Sequence, residues 1–136
     1  MWLALNEGIT KIEYHSPFSV YNEQSGLPGF VLSVTAPGPG NDLYAGTANG
    51  LFQQTPAGSF QPVHGISSAC RQLLPVDHSV LAAAGEGVFQ IEKNIKKNIF
   101  EHHTFVLCRS RHDKNRIWAG TIAGLASLYL KGNRWA

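Results

Sequence analysis

Hydrophobic residues in this chain occur in short runs separated by turn-forming residues, and one arrangement of them recurs. Its clearest copy is the stretch 43–52, LYAGTANGLF, in which an apolar run, a glycine-containing break and a second apolar run follow one another. Two apolar runs joined by a tight break of this kind predict a β-hairpin. A hairpin that recurs at a near-constant interval predicts a repeat fold, so the repeat decides the architecture.

The arrangement occurs four times, with the same residue types at matching positions. The turn glycines, spaced 42, 37 and 37 residues apart, are Gly8, Gly50, Gly87 and Gly124. An aliphatic residue follows each of them: Ile9, Leu51, Val88 and Leu125. A small residue stands four positions before each glycine, and a large residue stands six positions before it: Trp2, Tyr44, Leu81 and Trp118. These positions predict structural roles, because glycine adopts positive φ at tight turns and the large side chains bury apolar area between layers.

Each copy is the centre of a longer unit of four short strands, here called A to D. An apolar segment precedes each complete motif, at 31–34, 69–74 and 105–108, and is the predicted strand A. An aromatic residue follows each glycine in the predicted strand D: Phe18, Phe60, Phe100 and Trp135. Four strands in about 40 residues are typical of one β-propeller blade.

The sequence therefore predicts an all-β fold made of four-stranded antiparallel propeller blades. The units span approximately residues 1–25, 26–64, 65–103 and 104–136 of a single domain. The first unit begins at strand B, and the last ends where strand D should begin. We expect two complete and two partial blades, which together form an incomplete propeller.

Such an array leaves apolar faces and strand edges open at both ends. Unpaired edges and uncovered repeat faces favour association with another chain. Self-association through the open blade edges is therefore expected.

Composition and charge exclude several classes of partner. The chain has 136 residues, 43% of them hydrophobic, and a formal net charge of +2, which is too small to indicate a nucleic-acid partner. No apolar run reaches the ~18 residues of a membrane helix, and the first residues do not resemble a signal peptide. The two cysteines, Cys70 and Cys108, occupy nearly equivalent strand A positions and are predicted to be free, buried thiols.

No reactive constellation stands out, so we predict neither an enzyme nor a metal or cofactor site. Adjacent His102 and His103 would point to opposite faces of a strand and could not readily share one ion. The pair His112–Asp113 lacks a Ser or Cys in a nucleophile context and falls at an A–B turn. The arginine cluster and Asp-box motifs of sialidase-type propellers are not found in the sequence.

Binding residues are expected at the loops, since propellers usually bind their partners at top-face loops and in the central channel. Ordinary turn chemistry explains the same residues equally well. The candidates at the A–B turns are Asn41, Asp42, Asp77, His78, His112 and Asp113.

The repeat also resembles a known family. The stretches IWAGTIAGL (117–125) and LYAGTANGLF (43–52) are similar to the W-x-G-T-x-x-G-L core of the two-component regulator propeller repeat. The junction SGLPGFVLSV (25–34) resembles the lead-in to a blade of that family. The resemblance implies a ligand-sensing input region, often periplasmic, that in the family precedes a membrane helix and an output module.

Three functions remain open on the sequence. The first is a non-catalytic sensor segment that binds a small ligand. The second is a scaffold for protein–protein interaction, which the same repeats would serve. A propeller glycoside hydrolase or lyase is disfavoured by the missing motifs, although the propeller fold itself hosts binding and catalysis alike.

Overall fold

The chain folds into β-sheets, as the hydrophobic pattern predicts. A computed structural model describes residues 2–5, 8–11, 19–39, 43–93 and 95–135. Within these ranges the regular structure is β-strand, apart from one 3-10 turn at Glu23–Ser25. Every strand pairing is antiparallel.

The strands form four sheets, in which they follow one another in chain order. Sheet I has two strands, β1 (Trp2–Leu5) and β2 (Gly8–Lys11). Sheet II consists of β3 (Val31–Thr35), β4 (Tyr44–Thr47), β5 (Gly50–Gln54) and β6 (Phe60–Pro62). Sheet III consists of β7 (Gln72–Val76), β8 (Ser79–Ala84), β9 (Gly87–Glu92) and β10 (Ile95–Phe100). Sheet IV consists of β11 (Thr104–Arg109), β12 (Arg116–Thr121), β13 (Gly124–Lys131) and β14 (Arg134–Trp135).

The repeated motif forms the central hairpin of each four-stranded sheet. The last residue of the second strand faces the first residue of the third: Thr47 and Gly50, Ala84 and Gly87, Thr121 and Gly124. In sheet II the Thr47 hydroxyl donates to the Gly50 carbonyl (3.0 Å) and accepts from the Asn49 N–H (3.0 Å). Thr121 donates in the same way to Gly124 (2.8 Å) in sheet IV. The threonine of the motif therefore fastens the two-residue turn.

Two core layers lie on the two faces of sheet III, and a smaller buried cluster of Leu27, Ala45, Phe52 and Phe60 lies on the other side of sheet II. Along β8, Val80 and Ala82 pack toward sheet II, whereas Leu81 and Ala83 pack toward sheet IV. All six residues of β8 are buried. A strand covered on both faces is apolar throughout, which explains why the sequence SVLAAA shows no alternation of polar and apolar residues.

Neighbouring sheets meet through their first strands. Strand β3 contacts β7, and β7 contacts β11. Hydrogen bonds also cross these junctions: the Cys70 N–H, just before β7, donates to the Thr47 carbonyl of β4 (2.9 Å), and the Arg109 guanidinium of β11 donates to the Pro75 carbonyl of β7 (2.9 Å). The first strands thus hold successive sheets together.

The strand count of the last unit was predicted incorrectly. Three strands were expected, but sheet IV has four, because Gly132 and Asn133 turn the chain back and Trp135 pairs with Leu130. A two-residue strand suffices here since the Trp135 side chain, 5% exposed, anchors it in the core. The structure therefore contains three four-stranded sheets, where the sequence predicted two complete units.

The first unit differs as well. Strands β1 and β2 correspond to the predicted strands B and C; of strand C, predicted over residues 9–14, residues 12–14 lie outside the described residues. Its predicted strand D covers residues 17–21, of which 17 and 18 lie outside the described residues and 19–21 are not in a strand.

Candidate functional site

A concave site lies between sheets III and IV and is here called the III–IV groove. It has a volume of about 280 Å³. It opens at the ends of the sheets where the first strand turns into the second and the third into the fourth. Its lining residues are Val76, Asp77, His78, Ser79, Gln90, Glu92, Leu130, Asn133 and Trp135.

A tight turn from β7 to β8 presents Asp77 and His78 to the groove. Val76 and Ser79 are paired across this hairpin, so only two residues make the turn. Asp77 adopts a positive φ of 51°, a conformation that Asp tolerates better than most residues. Both turn side chains are exposed.

The base of the turn is fixed by hydrogen bonds that occupy the Ser79 hydroxyl. That hydroxyl donates to the Val76 carbonyl (3.0 Å) and accepts from the Gln90 side-chain amide (3.3 Å). Ser79 is also 5% exposed. A hydroxyl that is buried and already donating is not placed to attack a substrate, even with His78 next to it in sequence.

A second depression adjoins the groove and changes its charge. It has a volume of about 290 Å³ and shares Gln90, Glu92 and Asn133 with the III–IV groove. It adds the ammonium groups of Lys93 and Lys97. The combined lining thus contains the carboxylates of Asp77 and Glu92, the lysines Lys93 and Lys97, and the side-chain amides of Gln90 and Asn133, with Glu92 shared by both depressions.

Two further candidates from the sequence, His112 and Asp113, do not line this groove. His112 and Asp113 lie in the connection between β11 and β12, where the Asp113 carboxylate accepts from the Asn115 N–H (3.0 Å). The Asp113 N–H donates to the Ser110 hydroxyl (3.2 Å). Asp113 therefore acts in turn chemistry. Asn41 and Asp42 lie outside the described residues.

Several groove residues were missed by sequence reasoning. Gln90, Glu92 and Asn133 come from the third strands and the turns after them, whereas the A–B turns and the junctions between units were the positions considered. In a four-stranded antiparallel sheet the A–B and C–D turns lie at the same end. That topological rule would have pointed to Asn133 and the end of β9.

The residues predicted to be structural lie at comparable positions in the sheets. Gly50, Gly87 and Gly124 begin their strands with φ of 128°, 141° and 124°, and Gly8 begins β2. Trp2 begins β1, and Tyr44 is buried between sheets II and III. Trp118 is half-buried on the side of sheet IV that faces away from sheet III.

One carboxylate outside the groove has a perturbed pKa. Burial alone would raise the pKa of Glu86, but hydrogen bonds outweigh it and the pKa lies below its usual range. The donors are the Ser68 hydroxyl and the backbone N–H groups of Ser67 (3.2 Å) and Ser68 (3.1 Å). Glu86 thus ties the β8–β9 turn to the segment that leads into sheet III, which is a structural role.

The two cysteines have different surroundings. Both are free, but Cys70 is fully buried and Cys108 is exposed. Burial, with a smaller contribution from Glu86, raises the pKa of Cys70 to about 12. The prediction that both thiols are buried was wrong for Cys108, because its side of sheet IV is not packed against another described sheet.

Two further searches of the described residues bear on function. No cluster of three or more His, Cys, Asp or Glu side chains there could hold a metal ion. No helix in the described ranges has the length and apolar character needed to cross a membrane.

Comparisons with known proteins give no family assignment. No family model matches the chain, and searches among curated proteins and solved structures find no match either.

Proposed function

We propose that this chain is a segment of a β-propeller that binds a small polar ligand in the III–IV groove without catalysing a reaction. Three successive four-stranded sheets, each with its strands in chain order, support the propeller. The contacts between first strands support it further, since the innermost strands of adjacent blades are the ones that approach most closely. The resemblance of the repeat to regulator propellers supports a role in sensing.

The observation that carries the binding function is the composition of the III–IV groove. Carboxylates, amides and an imidazole converge at the junction of two sheets, above the buried indole of Trp135. Concave sites with a few convergent polar groups over an apolar floor are typical of small-ligand binding. The occupied Ser79 hydroxyl supports binding in preference to catalysis.

The charges favour a zwitterionic ligand. An ammonium group would bind near Asp77 and Glu92, and a carboxylate would bind near Lys93 and Lys97. Free amino acids have this charge pattern and fit a groove of this size. Monosaccharides, which lack both charges, serve as the contrasting probe class.

Saturation-transfer NMR with the twenty free amino acids and a panel of monosaccharides tests the proposal. We expect at least one amino acid to bind, and we expect Asp77→Asn to weaken its binding about tenfold through loss of one charge contact. Asn keeps the tolerance for positive φ at this turn, so the fold is preserved.

Asp113→Asn provides the matched control, because Asp113 occupies the equivalent turn of the next sheet but does not line the groove. It should leave binding unchanged. Binding that is equally weakened by both substitutions, or the absence of binding by every probe, would contradict the proposed function.

A protein-interaction scaffold is a second candidate, favoured by exposed apolar residues outside the groove. Val20 and Phe30 are each 81% exposed and lie before or near the start of sheet II. A stoichiometric protein partner whose binding is lost in Phe30→Ser but retained in Asp77→Asn would favour this function over ligand sensing.

A further inference from the structure

One position of the repeat is buried in two sheets and exposed in the third. Leu51, Val88 and Leu125 each follow the hairpin glycine and face the small residue of the second strand. Leu51 and Val88 are fully buried, whereas Leu125 is 74% exposed. The repeat has thus placed an interface residue where no described sheet covers it.

Leu51 and Val88 are buried by residues of the next unit in the chain. Leu51 packs in one cluster with Cys70 and Leu73 of the following unit. Val88 packs with Leu107 and Ile117 of the unit after that. Each of these faces is therefore a sheet–sheet interface, and the same side of sheet IV is built from the same pattern.

The uncovered side of sheet IV, here called the Leu125 face, is made of residues that pair across three strands. Val106 pairs with Gly120, which pairs with Leu125; Cys108 pairs with Trp118, which pairs with Ser127. Val106 is 49% exposed. This face presents a leucine, a valine and part of an indole to solvent, which is unusual for an isolated soluble surface.

Sheet II, at the other end of the three four-stranded sheets, also has an exposed residue at a position that is buried in the other two sheets: Val34. Val34, Leu73 and Leu107 each pair with an alanine of the second strand: Ala45, Ala82 and Ala119. Leu73 and Leu107 are 7% and 2% exposed because they pack on the preceding sheet, but Val34 is 61% exposed. The side of sheet II that carries Val34 is here called the Val34 face.

We propose that the Leu125 face binds the Val34 face of a second copy of this chain, head to tail. Within the chain, each contact between neighbouring four-stranded sheets joins a face like the Leu125 face (the first kind) on one sheet to a face like the Val34 face (the second kind) on the next. Among the described four-stranded sheets, sheet IV keeps one uncovered face of the first kind and sheet II one of the second kind, so a contact between two copies continues the interface between the sheets. Such a contact is heterologous and forms rings or longer chains. It does not depend on ligand binding in the III–IV groove.

Sedimentation velocity of the full chain over a range of concentrations tests the proposal, together with Leu125→Glu and Val34→Glu. Both residues are mostly exposed, so both variants should fold, which circular dichroism checks. We expect the unsubstituted chain to associate and each variant alone to be monomeric, with affinity reduced at least about tenfold.

Sedimentation of an equimolar mixture of the two variants is the decisive experiment. The Leu125→Glu chain keeps an intact Val34 face, and the Val34→Glu chain keeps an intact Leu125 face, so the mixture should form a 1:1 complex. A chain that is monomeric at all concentrations overturns the proposal. So does a Val34→Glu chain that still associates, since that outcome indicates two Leu125 faces in contact.

Exposure of Cys108 gives an independent readout, because this thiol lies on the Leu125 face. Its modification by a maleimide should slow as the concentration of the unsubstituted chain rises. In Leu125→Glu the rate should be independent of concentration. A concentration-independent rate in the unsubstituted chain would contradict the proposed contact.

Discussion

The side chain of Gln72 makes two hydrogen bonds with the backbone of Leu107 in the next sheet. Its amide donates to the Leu107 carbonyl (2.8 Å) and accepts from the Leu107 N–H (2.7 Å). The side chain thus completes the backbone hydrogen bonding of Leu107 on the side where β11 has no strand partner in the described structure. Gln72 in this way joins β7 of sheet III to β11 of sheet IV, beside the Arg109–Pro75 hydrogen bond.

Replacing Gln72 with Ala should destabilise the chain by about 1–3 kcal/mol, since it leaves both polar groups of Leu107 without their protein partner. Urea denaturation measures the free energy of unfolding. Gln61→Ala, at an exposed position of β6, is the control and should change it by less than about 0.5 kcal/mol. Equal effects of the two substitutions would show that the Gln72 contact does not hold the sheets together.

Two glycines at one repeat position should respond differently to alanine. A Cβ on Gly46 would clash with the Ser33 hydroxyl and with the backbone carbonyl of Cys70, just before β7, whereas the only close contact of a Cβ on Gly120 would be the Val106 side chain. Gly46→Ala should therefore cost about 1–3 kcal/mol by overpacking. Gly120→Ala should be near neutral, because the half-exposed Val106 side chain can move.

Chemical denaturation of both glycine variants measures the difference. If Gly46→Ala and Gly120→Ala lower the free energy of unfolding equally, the Cys70 segment does not pack closely on Gly46.

The two thiols should differ in reactivity. In the Leu125→Glu background Cys108 should react with an aromatic disulfide reagent within minutes, and Cys70 should react only when the chain unfolds, because it is buried with a pKa raised to about 12. If both thiols of the native chain react with the reagent at the same rate, the burial of Cys70 is contradicted.

The raised pKa of Cys70 also predicts a loss of stability at high pH. The unfolded thiol ionises near pH 8.5, whereas the folded thiol does so only near pH 12, so the unfolded state loses its proton first. The free energy of unfolding should fall as the pH rises above about 8.5. Cys70→Ala should flatten this decline.

Glu86 predicts a pH dependence on the acid side. Its folded pKa lies below the unfolded value of about 4.3, so its contribution to stability is present above that pH and is lost as the pH falls through the folded pKa. Glu86→Gln should destabilise the chain at pH 7 by about 1 kcal/mol or less, since the side chain is exposed. Urea denaturation from pH 7 to pH 3 should show the two proteins converging. If the difference in the free energy of unfolding between the two proteins does not change with pH, the Glu86 carboxylate is not stabilised by these hydrogen bonds.

The repeat made much of the fold predictable from the sequence. The spacing of Gly50, Gly87 and Gly124 located three hairpins, because tight turns need a residue that adopts positive φ. Trp135 was correctly assigned to the position of a fourth strand. The sequence did not show that two residues, Arg134 and Trp135, are enough to form that strand. The burial of its indole, which stabilises that strand, depends on contacts far away in the sequence.

Exposure and site geometry were less predictable. Leu51 and Leu125 have the same local pattern and opposite burial, since burial depends on the next sheet and not on the residue itself. Cys108 was misplaced for the same reason. Asp77 and His78 lie in the III–IV groove, whereas Glu92 and Asn133 were missed because they reach it from other strands.

The most direct measurement of the proposed sheet arrangement is a nuclear Overhauser spectrum of the chain labelled with ¹⁵N. If sheets III and IV join through their first strands, the side-chain amide protons of Gln72 will show a cross-peak to the backbone amide proton of Leu107. Cross-strand peaks between β10 and β11 in place of that cross-peak would instead show one continuous sheet and would contradict the stacked repeat.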